Sequence, residues 1–274
     1  MVLLRIKYII VIVKLALIFL NNQKFMDNNI VFGINPVTEL LSKGIRRIDR
    51  IYFDNQSRNK ALFDLIKQAR KMRISYQMVP FNKLNEICGT KKHQGVAVLC
   101  SSVELFDIEK VFHIIEQKSK PPLILIPASI EDPRNLGAII RTCVAFCVDA
   151  ILLEKKNTAP IGAVVAKSSA GMLEHAVICK PKNLEAVVAN FASKGYLVIG
   201  AHTQGDLNPN QIDFTKPLII ITGGENRGIP PYLEKLCTHF VKIPINPLVN
   251  SLNASVSASI LLYECWRQRN FNYS

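Results

Sequence analysis

From Leu123 to the C-terminus, short aliphatic runs alternate with longer stretches of helical spacing, and this alternation most constrains the fold of the chain. The runs are Leu123 to Ile126, Ala150 to Leu153, Ala176 to Cys179, Tyr196 to Ala201, Leu218 to Thr222 and Phe240 to Pro244. Helical patterns end at Phe146, begin at Ile161, span Asn183 to Ser193, and close the chain through Trp266. Continuous apolar runs separated by helices predict an α/β fold with a mostly parallel sheet covered on both faces. Such sheets bind ligands beyond the carboxyl ends of their strands. Three segments rich in glycine and amide side chains are placed to gather there: Asp132-Pro133-Arg134-Asn135-Leu136-Gly137 running on to Arg141, Gly223 to Gly228, and Ser251 to Ser255. That clustering points to an enzyme site.

Each segment has two readings. Asp132 followed by Pro133 is a good helix start, an acceptor at the cap and a proline whose missing N–H costs nothing in the first turn. Gly137 permits close backbone approach, and Arg141 lies in an otherwise apolar helix, where it pairs with an acid or holds a ligand. Gly223 to Gly228 begins where a strand ends and carries Glu225, either as an exposed turn or as a place where main chain meets a flat ligand. It has no Gly-Lys-Ser/Thr and no Gly-x-Gly-x-x-Gly, which excludes a Walker loop and a dinucleotide fingerprint. Ser251, Asn253 and Ser255 open the last helix; capping explains one of them and does not require three.

The N-terminal part is organised differently. Residues 28–100 read as a small α/β domain, with helical stretches at Val37 to Ser42 and Asn59 to Met72 and strands at Ile48 to Phe53, Gln77 to Val79 and Val96 to Leu99. It is rich in basic groups, including Arg46, Arg47, Arg50, Arg58, Lys60, Lys67, Arg70, Lys71 and Arg73, which form either a phosphate-contacting surface or a solvated face. Residues 101–122 read as a connector with a short helix, ending at Pro121-Pro122. The whole chain has a net charge of +13, which favours polyanionic partners. Seven scattered cysteines form no C-x-x-C pair and no ligand cluster, so buried reduced thiols are expected, with Cys143 and Cys147 in the core and no metal site. Residues 1–27 hold an apolar run broken by Arg5, Lys7 and Lys14. Either translation begins at Met26 or the run anchors a membrane; the first is favoured, and with it a cytoplasmic protein without stable membrane association.

Asn135-x-Gly137 with Arg141, Gly223-x-Glu225-x-x-Gly228 and Ser251-Leu252-Asn253-x-Ser255, in this order, closely resemble the SpoU (TrmH-like) 2'-O-ribose methyltransferases of the SPOUT superfamily. The likeness is dense over Leu123 to Arg269, and Phe32 to Leu99, with His93-Gln94-Gly95, is similar to the small RNA-binding domain that precedes it in many members. Pro247 departs from the pattern, standing where relatives usually have Gly and stiffening its loop. The resemblance implies a trefoil-knotted α/β domain over 123–274 that binds S-adenosylmethionine and works as a homodimer on RNA. It places Gly223, Ile243 and Leu252 against the cofactor, and Asn135, Arg141, Glu225, Ser251 and Asn253 at the reaction centre, with Arg141 serving a site completed by the other subunit. A guanosine of 23S rRNA is the substrate it favours, with a tRNA guanosine or a non-catalytic RNA-binding assembly factor as alternatives.

Overall fold

The computed structural model describes residues 29–224 and 227–271. The chain divides into two compact units, the first comprising residues 29–103 with the short segment 161–163, the second the remainder from Glu104.

In the first unit β1 (Ile30–Phe32), β2 (Ile48–Asp54), β3 (Tyr76–Val79) and β4 (Val96–Cys100) form a sheet of order β1-β4-β2-β3. β4 is antiparallel to both neighbours, and β2 and β3 are parallel. Helices α1 (Ile34–Lys43), α2 (Lys60–Lys71) and α3 (Phe81–Cys88) connect the strands. Val37, Leu40 and Leu41 of α1 and Leu62, Leu65 and Ala69 of α2 recur at helical spacing and are all buried. Asn59 starts α2 by accepting the Ala61 N–H at 3.0 Å. Proline does not delay α1: Pro36 lies in its first turn, where no intrahelical N–H is needed, so the helix begins at Ile34 rather than Val37. Of the basic residues, Arg46 is not available to a ligand. It is buried, and its Nε donates to the Ser101 carbonyl at 2.7 Å, tying the end of the unit to β2.

The second unit holds a sheet of β5 (Leu123–Pro127), β6 (Ala150–Leu152), β7 (Ile178–Cys179), β8 (Leu197–Ala201), β9 (Leu218–Thr222) and β10 (His239–Val241). Its order is β10-β8-β9-β5-β6-β7, and every neighbouring pair is parallel. β5 and β9, at the centre, are buried at every position, as strands covered on both faces require. The helices are α4 (Ile108–Glu116), α5 (Pro133–Ala145), α6 (Ala163–Ser168), α7 (Leu184–Ser193), α8 (Pro231–Glu234) and α9 (Ala254–Gln268). From Glu104 onward, the stretch expected as a connector over 101–122 belongs to this unit. Val111 and Ile115 of α4 pack in the core with Ile124 and Ile126, and the Phe106 N–H bonds the Ile178 carbonyl at 2.8 Å. Cys143 is buried, its thiol pushed up by burial, but Cys147 is exposed. α5 ends at Ala145 and Cys147 takes a left-handed φ of 53°, so the two cysteines do not share a helical face.

α5 and α9 run side by side in the same direction. Asn135 meets Asn253 at their starts, Thr142 Oγ1 lies 3.2 Å from Ser259 Oγ, and Phe146 meets Tyr263 and Trp266 at their ends. Gly137 fixes how closely α5 seats on its other neighbours: a Cβ there would lie 2.5 Å from Ser168 Cβ and 2.8 Å from the Val165 carbonyl oxygen. Gly137→Ala is therefore expected to destabilise the chain by about 1–3 kcal/mol, read as a lower urea midpoint. An unchanged midpoint contradicts this seating of α5.

Candidate active site

Because the second sheet is parallel throughout, the loops leaving β5, β8, β9 and β10 emerge on one edge. A cleft of about 310 Å³ opens there. Its walls are Ala201 to Thr203 after β8, Thr222 to Gly224 after β9, Ile243 and Ile245 after β10, and Asn250 to Leu252 before α9. Gly223, Ile243, Leu252 and Ser251 thus line one cleft. Asn135 lies in a smaller adjoining recess with Ser129 and Arg227, and Gly224 and Ala254 border both spaces. Asn253 joins the two sides. Its Nδ2 donates to Asn135 Oδ1 at 3.1 Å, while its own Oδ1 accepts the Ser255 N–H at 2.9 Å as the cap of α9. One residue is therefore both cap and bridge, while the Ser255 hydroxyl also donates to Asn253 Oδ1 at 2.6 Å and Ser251 lines the cleft.

The glycines of the second motif have a reason within the protein itself. A Cβ on Gly223 would lie 2.3 Å from the Gly228 carbonyl carbon, and one on Gly224 would lie 2.1 Å from the Ser129 carbonyl oxygen. The loop folds on itself, with the Gly228 N–H bonding the Gly224 carbonyl at 3.0 Å, and presses on the turn after β5. That turn carries Ser129 at a left-handed φ of 55°. Its N–H donates to Glu154 Oε2 at 2.5 Å, and the Tyr232 hydroxyl donates to Glu154 Oε1 at 2.7 Å. Burial, and then the hydrogen bond to Glu154, push the Tyr232 phenol well above its ordinary value, so the hydroxyl stays a donor. Glu154 and Ser129 are both buried, and together with Tyr232 they set where the two motif loops meet. Nothing in the motif pattern marks them; Glu154 betrays itself only as a carboxylate ending an aliphatic run.

Two of the expected site residues stand apart. Arg141 is exposed on α5 and takes no part in a salt bridge or side-chain hydrogen bond among the described residues, so burial in an apolar helix does not apply to it. Six residues along an α-helix place it about 9 Å further from the site than Asn135 and roughly 120° around the axis. A single chain does not bring it to the cleft. Glu225 lies outside the described residues.

A further observation concerns a polar atom. Thr222 ends β9, borders the cleft and is 1% exposed, and its Oγ1, itself shielded from solvent, has no hydrogen-bond partner among the described residues, as is also true of Thr158 Oγ1. Buried hydroxyls are rarely left so, and one turn of χ1 beside a cleft would let this one meet a ligand. Among the described residues no group of three or more His, Cys, Asp or Glu is arranged to hold a metal ion.

Comparison with known families bears on this arrangement. Residues 122–263 match the model of the SpoU rRNA Methylase family, and residues 30–106 match that for RNA 2'-O ribose methyltransferase substrate binding. The chain belongs to the SpoU methyltransferase family. It is 31% identical to proteins named as TrmH family tRNA/rRNA methyltransferases from Staphylococcus haemolyticus and, as YacO, from Bacillus subtilis, over 89% of this chain and 97% of each relative. The SpoU fold is likewise shared with AviRb from Streptomyces viridochromogenes, solved with AdoMet, at a TM-score of 0.75 and 22% identity over 91% of this chain and 93% of that one. The AdoMet-bound rRNA methyltransferase of Sinorhizobium meliloti aligns at a TM-score of 0.72, with 21% identity over 90% of both chains.

Proposed function

We propose that this SpoU family chain methylates a ribose 2'-hydroxyl in RNA using S-adenosylmethionine, with a guanosine of 23S rRNA as the favoured target. The observation that carries the reading is the meeting of three distant loops at one edge, with Asn135 bonded to Asn253 beside a cleft that Gly223, Ser251, Leu252 and Ile243 line. The names of the relatives leave the choice between rRNA and tRNA open, and the +13 charge suits either.

The residues fit the cofactor. The main chain at Gly223, Ile243 and Leu252 would hold its adenosine part, with apolar cover from Ile229 and Ile245, and the shielded Thr222 Oγ1 would turn to meet a polar group. When bound, it supplies an electrophilic methyl group on a sulfonium. The chain's task is then to fix a ribose oxygen in line and ease removal of its proton. Asn135, Asn253 and Ser251 orient the ribose, and Glu225 is assigned a share in that orientation. A guanidinium suits a phosphate better than it suits a base, so Arg141 is assigned to anchor the phosphate beside the 2'-hydroxyl and to stabilise negative charge growing on the oxygen.

Arg141 reaches a reaction centre only from a second subunit. An apolar stripe on α9 supports that arrangement: Val256, Ile260 and Tyr263 recur at one helical face and are 45%, 37% and 51% exposed. Tyr263 touches Phe146 just past α5, so the stripe adjoins the helix that carries Arg141. A homodimer packed there covers the stripe and delivers each Arg141 to its partner. The expected trefoil knot is kept as part of this reading, an exception to the usual absence of knots.

Radiolabelled methyl transfer to total RNA tests the reaction directly. Arg141→Ala is expected to lower turnover at least about 100-fold while calorimetric binding of S-adenosylmethionine changes by less than about 3-fold; near-normal turnover removes Arg141 from the mechanism. Thr222→Val should act in opposite directions on two measurements. Without its orphan hydroxyl the free chain melts higher, by about 1 kcal/mol of stability, and binds S-adenosylhomocysteine more weakly. Unchanged affinity shows that the hydroxyl meets no cofactor atom.

A further inference from the structure

A second pocket lies in the first unit, among residues that the methyl-transfer chemistry does not use. Its surface carries Phe81, Lys91, Lys92, Asp54, Ser57 and Asn59. Phe81 opens α3 and is 40% exposed, a large ring left at the surface of a basic unit. It does not hang free. Its ring rests on that of His93, centroids 4.6 Å apart, and His93 is fully buried. The Gly95 N–H donates to His93 Nδ1 at 3.0 Å, which leaves the proton on Nε2 to donate to Asn85 Oδ1, also at 3.0 Å. The imidazole is therefore neutral and fixed in orientation, a rigid back for the exposed ring.

The loop bearing the two lysines is braced in the same way. Gln94 and Gly95 take successive left-handed φ values of 57° and 83°, and Gln94 Oε1 accepts the Ile34 N–H at 3.2 Å. A Cβ on Gly95 would lie 2.6 Å from Leu62 Cδ1, so that side of the loop is also closed. A merely solvated charged turn needs neither a strained glutamine nor a buried histidine behind it.

We infer that this pocket takes one unpaired nucleotide of the RNA substrate, the base stacked on Phe81 and the adjoining phosphate held by Lys91 and Lys92. Aromatic stacking next to paired cations is the chemistry of single-stranded RNA recognition. Asp54 lines the same pocket; its Oδ1 accepts the Gln56 N–H at 3.1 Å, and its carboxylate offers further acceptor capacity to the donor edge of a base. The inference rests on reading the substrate as RNA and adds the place where the first unit grips it.

The test uses the full chain and total RNA from cells lacking this protein. Phe81→Leu keeps apolar bulk against His93 but removes the stacking surface, and should raise KM for that RNA about 5- to 100-fold with kcat little changed, while Phe81→Tyr restores it. K91Q/K92Q, which alters only exposed side chains, should lower the steepness of the salt dependence of binding by about two charges. Ultraviolet crosslinking of the wild-type chain should leave a nucleotide adduct on the peptide containing Phe81 or on that containing Lys91 and Lys92. Unchanged KM and salt dependence, or adducts only elsewhere, overturn the proposal. If the wild-type chain methylates no RNA, the proposed reaction fails, and the crosslink still decides this pocket.

Discussion

Parallel pairing of every strand in the second sheet is the constraint on which the rest depends. With all six strands pointing one way, segments separated by more than a hundred residues leave the sheet along one edge. α5 and α9 start at that edge and run together, so two helix N-termini face the same space with Asn135 and Asn253 bonded across them. Helix starts present unpaired N–H groups and a positive dipole end, suited to a substrate rich in phosphate. The site is therefore a product of topology before it is a product of any one side chain.

Packing then sets the shape of the site. Gly223, Gly224 and Gly137 stand where backbone meets backbone or side chain too closely for a Cβ, so the motif loops and α5 are fixed by contact within the protein. Behind them Glu154, held by Ser129 and Tyr232, places a buried carboxylate whose hydrogen bonds lock the turn after β5. Removing one partner of such a buried group costs more than the bond itself contributes, so the turn has little freedom to move. Among the described residues Thr222 and Thr158 keep buried hydroxyls without a partner, and of the two Thr222 borders the cleft.

Much of this was legible in the residue order. The aliphatic runs at Leu123 and Leu218 mark the central strands because strands covered on both faces need no polar alternation, and the Asp132-Pro133 start of α5 is written in its capping chemistry. The three motif segments were placed at one edge by the same reasoning. Other features depend on tertiary contacts that no local pattern encodes. Residues 101–122 read as a connector because a short helix is followed by Pro121-Pro122, yet Val111 and Ile115 complete the second core. Arg46 has the look of a surface cation but is spent on the Ser101 carbonyl, and Arg141 looks buried by its apolar neighbours but faces outward. Glu154 and Thr222 carry no motif, so only their surroundings single them out. The N-terminal apolar run and Glu225 lie outside the described residues; among those described, no helix is long and apolar enough to cross a membrane.

A crystal structure of the full chain with S-adenosylhomocysteine decides whether the three loops form one working site. The ligand is expected in the cleft between Thr222 to Gly224 and the Ile243 and Leu252 main chain, with the Thr222 hydroxyl turned to bond it and Arg141 of the partner subunit near Asn135. A ligand bound elsewhere, or a dimer that leaves both Arg141 side chains far from either cleft, would contradict that arrangement.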